Sequence, residues 1–119
     1  TLKRVPPLVA DVLALPGWAP EFALFHQANA FMLDHLQQKC RPAFEAAGCA
    51  DTVRMPQNLQ RFGNCSSASI PLLMCADLTR ATFDRRMVPV AMFGYGAGWA
   101  WAGARIDCIE MQVADLVEV

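Results

Sequence analysis

Two short, almost wholly apolar runs constrain this chain most: residues 21–26 (EFALFH) and residues 87–93 (MVPVAMF). Neither alternates apolar with polar, so a strand built from either has no face suited to water and is buried on both sides. Between them lie stretches whose apolar residues recur every three or four positions, the spacing of a helix with one face on a core. Buried strands alternating with such helices imply an α/β fold: a mostly parallel sheet covered by helices. The hydrophobic share, 55% without glycine, exceeds the about 45–50% of an average soluble domain that counts glycine. That excess fits a doubly covered sheet, a large face buried against another surface, or both.

Val5, Leu8, Val9, Val12 and Leu13 predict a helix over residues 2–15, with Pro6 and Pro7 in its first turn. The run 16–20 (PGWAP) ends it. After the strand 21–26, Asn29 is the expected N-cap of a helix whose stripe is Met32, Leu33, Leu36, Cys40 and Phe44. Pro42 is expected to kink or divide that helix, and Gly48 to stop it. Residues 51–55 form a weaker candidate strand and 57–63 a polar connection. Ser66 or Ser67 is the expected cap of the next helix, with Pro71 in its early turns and Ile70, Leu73, Met74 and Leu78 as its stripe. A strand over 87–93, a turn over 94–98 and a returning strand over 99–108 make an antiparallel hairpin at one edge. The apolar, acidic tail 111–119 predicts no element. At 119 residues the chain is one domain's worth.

A net charge of −1 and the lack of a basic stripe argue against nucleic acid as a partner. No apolar run reaches the ~18 residues that suggest a membrane helix. The five cysteines, Cys40, Cys49, Cys65, Cys75 and Cys108, form no C-x-x-C pair. That argues against a zinc site or thioredoxin-like chemistry and for reduced, mostly buried thiols in a cytoplasmic protein. The start at Thr1, without an initiator methionine or a clean signal-peptide core, reads as processed or cut.

Chemistry concentrates where apolar stretches give way to helices, the edge at which open α/β sheets build their sites. His26 ends the first strand. Its imidazole offers a substrate carbonyl one N–H, or a lone pair as base, or simply a structural hydrogen bond. Asn64 follows Gly63 just before a helix; it is either a turn residue or an amide donor for a developing oxyanion. Gly94-Tyr95-Gly96-Ala97-Gly98 reads as a hairpin turn, and its glycines let backbone approach a ligand closely. It is no phosphate loop, because it enters a strand and not a helix. Cys65, near a helix start, is a lesser candidate for a Cys-His nucleophile pair with His26.

Taken together, His26-Gln27-Ala28-Asn29, then Gly63-Asn64-Cys65-Ser66-Ser67-Ala68-Ser69-Ile70-Pro71, then Gly94-Tyr95-Gly96-Ala97-Gly98-Trp99-Ala100-Trp101 resemble the C-terminal half of the 3-oxoacyl-[acyl-carrier-protein] synthase III family. The resemblance covers most of residues 21–107 and implies a thiolase fold. It implies an acyltransferase of lipid metabolism, such as fatty acid biosynthesis, that catalyses decarboxylative Claisen condensation. In that family a cysteine of the N-terminal half is acylated, usually from an acyl-CoA. Malonyl-ACP or malonyl-CoA then loses carbon dioxide while the residues matched by His26 and Asn64 donate to the thioester carbonyl. Gly94, Tyr95, Gly96, Ala97 and Gly98 match the active-site loop. No metal or cofactor is implied beyond these thioester substrates, and the full-length protein is expected to be a homodimer.

The chain departs from the family pattern at several places. Cys65 stands where threonine is usual after the asparagine, and Ala100 where threonine is usual after the glycines. Phe31 replaces the basic residue implicated in carrier docking, which favours a free coenzyme A thioester or a carrier bound differently. The spacing from His26 to Asn64 is long, with extra residues around 41–55. Residues 1–119 read as a half-domain fragment that lacks the nucleophilic half and the first strand of its own half. That strand is expected to be central, so its loss should leave a gap or recruit a strand from elsewhere, giving an unstable or assembled fragment. Without the nucleophilic half the fragment is expected to be inactive alone. The alternative reading is a non-catalytic half-subunit or partner of a thiolase-fold enzyme.

Overall fold

The computed structural model describes residues 2–78, 87–109 and 111–117. Helix α1 spans Val5–Leu13 and strand β1 Phe22–Phe25. Helix α2 spans Ala30–Ala46, α3 is a single turn at Leu59–Phe62, and α4 spans Ser69–Asp77. Strands β2 (Val88–Gly96) and β3 (Ala100–Cys108) complete the order. The sheet runs β1-β2-β3, with β1 and β2 parallel and β2 and β3 antiparallel. The sheet is therefore mixed, with the expected antiparallel strand at one edge.

Period-two alternation divides the sheet into two cores. Ala23 and Phe25 of β1 and Ala91, Phe93 and Tyr95 of β2 share a cluster with Val5, Val9 and Leu13 of α1 and Leu33, Leu36, Cys40 and Phe44 of α2. Phe22, Leu24, Val88 and Val90 point the other way and meet Leu73 of α4 together with Leu78 and Cys108. All four residues of β1 are buried, as a strand covered on both faces requires.

The start of α2 follows its sequence closely. Asn29 is extended (φ −159°, ψ 160°), and its Oδ1 accepts from the Met32 N–H at 2.8 Å. At the other end Gly48 adopts φ +75°. The Cys49 N–H then reaches the Phe44 carbonyl and the Gly48 N–H the Glu45 carbonyl, each at 3.0 Å. This doubled C-terminal cap needs a residue tolerant of the left-handed region. Pro42 does not divide the helix into two elements: α2 runs through it to Ala46. Pro42 and Gln38 both lie on the exposed face, where water can satisfy the carbonyl that proline leaves without a donor. Residues 41–46 thus belong to α2, and residues 47–55 follow it. Arg41 pairs with Glu45 at 3.0 Å and Asp51 at 3.1 Å.

Four other expectations are corrected. Residues 51–55 form no strand; Arg54 makes one isolated parallel bridge to Phe22, through Ala23 N–H to Arg54 C=O and Arg54 N–H to Glu21 C=O, both 2.9 Å. The connection 57–63 contains the turn α3. The glycine run does not turn at Gly94: β2 continues to Gly96, with Gly94, Tyr95 and Gly96 paired to Ala102, Trp101 and Ala100. The turn is Ala97–Trp99, where Gly98 (φ +75°) and Trp99 (φ +60°) are left-handed. Finally, among the described residues no central position is vacant. β1 pairs directly with β2 from Phe22–Val90 to Phe25–Phe93, because backbone groups inside a buried sheet must find partners. The tail 111–117 has no regular structure; residues 118–119 lie outside the described residues.

β3 is exposed along its length except at Cys108, and side-chain ties hold it to α1 and to the loop that follows α1. Arg105 Nη1 donates to the Val12 carbonyl at 2.8 Å, and Trp18 Nε1 donates to Asp107 Oδ1 at 2.8 Å. Gly103 packs closest. A Cβ there would stand 2.8 Å from Val12 Cγ2, 3.2 Å from Phe93 Cδ1 and 3.3 Å from Leu8 Cγ. Gly103→Ala is therefore expected to cost about 1–3 kcal/mol by overpacking, read as a lowered urea midpoint. An unchanged midpoint would show that α1 shifts freely over β3.

Candidate active site

β1 and β2 run parallel, and both end at one edge of the sheet, the edge that carries sites in open α/β folds. The residue after β1 is His26. Its backbone N–H donates to the Phe93 carbonyl at 2.9 Å, which extends the β1–β2 ladder by one bond. The side chain is half-buried and lines a cleft of about 230 Å³ with Ser66, Ser67, Ile70, Gly94, Tyr95 and Gly96. Gly94 and Gly96 present bare pleats there, and a Cβ at either would meet nothing within 4 Å.

Burial lowers the His26 pKa below the usual 6.5. The imidazole is thus neutral at pH 7, with one N–H to donate. The unfolded chain binds the proton more readily than the folded one. His26 therefore contributes stability above pH 6.5 that is lost as pH falls below that value. An NMR titration of the His26 ring is expected to give a midpoint below 6.5; a midpoint above it would mean that an unseen acidic partner outweighs burial.

Asn64 is exposed and does not line the cleft. Its Oδ1 accepts from the Ser66 N–H at 2.9 Å, so it shapes the turn that carries Ser66 and Ser67 to His26. With the oxygen so engaged, the amide nitrogen is the end available as a donor. Neither Ser66 nor Ser67 caps α4. They belong to a short 3-10 turn, Ser66–Ala68, and the α4 N-cap is Ala68, without a side-chain bond. Ser66 holds φ +53°, a strained geometry for a residue with a Cβ. Of the glycine run, Gly94, Tyr95 and Gly96 reach the cleft; Ala97 and Gly98 do not.

Cys65 also stays outside the cleft, and its thiol donates to the Phe62 carbonyl at 3.3 Å. That arrangement leaves the Cys65–His26 pair without support. All five cysteines are free, and burial pushes the Cys40 thiol up to about 12. Among the described residues no group of three His, Cys, Asp or Glu side chains is placed to hold a metal ion, and no helix is long and apolar enough to cross a membrane.

Sequence reasoning missed the role of Gln27. It is fully buried, its Nε2 donates to the Phe25 carbonyl at 2.9 Å, and its Oε1 accepts from the Asn58 N–H at 3.1 Å. This strut joins the end of β1 to the loop that leads to Asn64. The available signal was a glutamine beside an all-apolar strand, since a polar side chain buried there must find partners.

The family model described as 3-oxoacyl-[acyl-carrier-protein (ACP)] synthase III C terminal matches residues 21–108. The chain belongs to this family. The beta-ketoacyl-[acyl-carrier-protein] synthase III of Gloeobacter violaceus is 37% identical over 106 residues, 84% of this chain and 29% of that protein. Its counterpart from Prochlorococcus marinus is 32% identical over 111 residues, 88% of this chain and 29% of that protein. The crystal structure of a 3-oxoacyl-(acyl-carrier protein) synthase from Burkholderia xenovorans LB400 superimposes with a TM-score of 0.82 at 36% identity. It covers all of this chain and 32% of that one. The fold is therefore part of the thiolase fold, and the chain spans under a third of the length of these synthase III relatives.

Proposed function

We propose that this chain is the donor-bearing C-terminal part of an acyltransferase that performs decarboxylative Claisen condensation. The observation that carries this reading is the place of His26: a half-buried imidazole at the carboxyl end of β1, lining a small cleft, whose burial favours the neutral form. In this reading the malonyl thioester carbonyl accepts an N–H from His26 and one from the Asn64 amide. The bond between C2 and the carboxylate breaks, carbon dioxide leaves, and the electron pair moves into the carbonyl as an enolate stabilised by the two donors. C2 then attacks the acyl group held on a cysteine of the other half, and the cysteine thiolate departs.

A donor and a leaving carboxylate suffice for the first step, which suits an imidazole that is neutral and need not act as a base. Phe31, 77% exposed at the start of α2 and stacked on His35 with ring centroids 6.2 Å apart, offers no positive charge to an acidic carrier there, which supports a coenzyme A thioester or a carrier docked elsewhere as malonyl donor. A cytoplasmic homodimer needing no metal or cofactor completes the reading. The test is carbon dioxide release from malonyl-CoA by the enzyme assembled from this chain and the half that bears the nucleophile. Release that is unchanged in both His26→Ala and Asn64→Ala would overturn the assignment.

A further inference from the structure

β1 ends at Phe25, so the carbonyl of His26 lies beyond the strand. Two groups hold it: the Ala28 N–H at 3.1 Å and the Tyr95 hydroxyl, which donates at 2.8 Å. The Tyr95 ring also meets the His26 imidazole edge-on, with centroids 5.4 Å apart and planes at 80°. Tyr95 is itself fixed, being 6% exposed within the core formed with α1 and α2. Both backbone polar groups of His26 are thus tied to β2, its N–H to Phe93 and its carbonyl to Tyr95. The backbone that carries the imidazole is held against β2, and the Tyr95 ring edge is the contact the imidazole itself makes.

We propose that Tyr95 is a positioning residue for His26, acting through its hydroxyl on the His26 carbonyl and its ring edge on the imidazole. This rests on the reading of His26 as the donor to the thioester carbonyl. The hydroxyl is a durable donor, because burial pushes Tyr95 up to about 12 and it stays protonated through the working pH range. A tether of this kind matters because a misplacement of about 1 Å at a reacting centre can cost ~10²-fold in rate. Loss of one of its two points of contact should cost less than that.

The experiment compares the assembled enzyme with Tyr95→Phe, which keeps the ring, and with His26→Ala. Tyr95→Phe is expected to lower kcat for malonyl-CoA decarboxylation by about 10-fold, with KM changed less than about 2-fold. The ring 15N shifts of His26 are expected to move, because the imidazole changes place. If His26→Ala is impaired while Tyr95→Phe keeps both its kcat and its His26 ring shifts, the positioning role is wrong. If Tyr95→Phe loses activity only in step with a lowered unfolding midpoint and with ring shifts unmoved, the tyrosine is merely structural and the proposal also fails. If His26→Ala itself is unimpaired, the reading of the reaction falls first and takes this one with it.

Discussion

His26→Ala is expected to slow malonyl-CoA decarboxylation by the assembled enzyme by about 10²–10³-fold, the usual cost of one preorganised donor to an oxyanion. In the proposed reaction the enolate oxygen would form in the cleft that His26 shares with Gly94, Gly96, Ser66 and Ser67. Asn64 needs a subtler substitution, because its Oδ1 also holds the Ser66 N–H and alanine would remove turn and donor together. Asn64→Asp keeps an acceptor for Ser66 and removes the donor, so it should be as slow as His26→Ala with the turn intact. Stopped-flow or radiochemical release of carbon dioxide measures both. An Asn64→Asp enzyme at full rate would confine Asn64 to the turn and leave His26 as the lone donor.

The largest expected effect on stability is at the residue before His26. Phe25 is 1% exposed, its ring lies 5.0 Å from that of Phe93, and it sits in the core shared with α1 and α2. Phe25→Ala is expected to cost about 3–5 kcal/mol, the transfer of the ring plus a cavity that a sheet residue held on both sides cannot collapse. Urea denaturation measures it. A cost below about 1 kcal/mol would mean that α1 and α2 close over the gap, contrary to a core packed at the density of a crystal.

The parts of the fold that were legible in the sequence are those whose cause is local. β1 shows as an unbroken apolar run, the start of α2 as an asparagine three residues before Met32, and its end as a glycine that alone tolerates φ +75°. The parts misread are those decided by distant partners. Arg54 becomes a bridge only because Phe22 lies beside it. The glycine hairpin turns three residues late because Ala100, Trp101 and Ala102 continue the ladder opposite Gly96, Tyr95 and Gly94. The adjacency of β1 and β2 rests on pairing 68 residues apart (Val90 against Phe22), which no local pattern encodes. At the site, His26 was found from its place at a strand end. Ser66 and Ser67 read locally as helix caps, since their approach to His26 depends on a turn that Asn64 ties.

The alternation along β1 and β2 has an evolutionary meaning. On one face every position is committed to packing against α1 and α2. On the other, near the strand ends, the sheet meets Ser66, Ser67 and Ile70 across open space. Ser67 is exposed, so a substitution there can reshape what the cleft accepts without touching either core, whereas Ile70 also packs on the second core and a change there is felt in stability. Tyr95 is the exception: it belongs to the packed face and reaches His26. It is the point where a drift in the core would be felt as a change in chemistry.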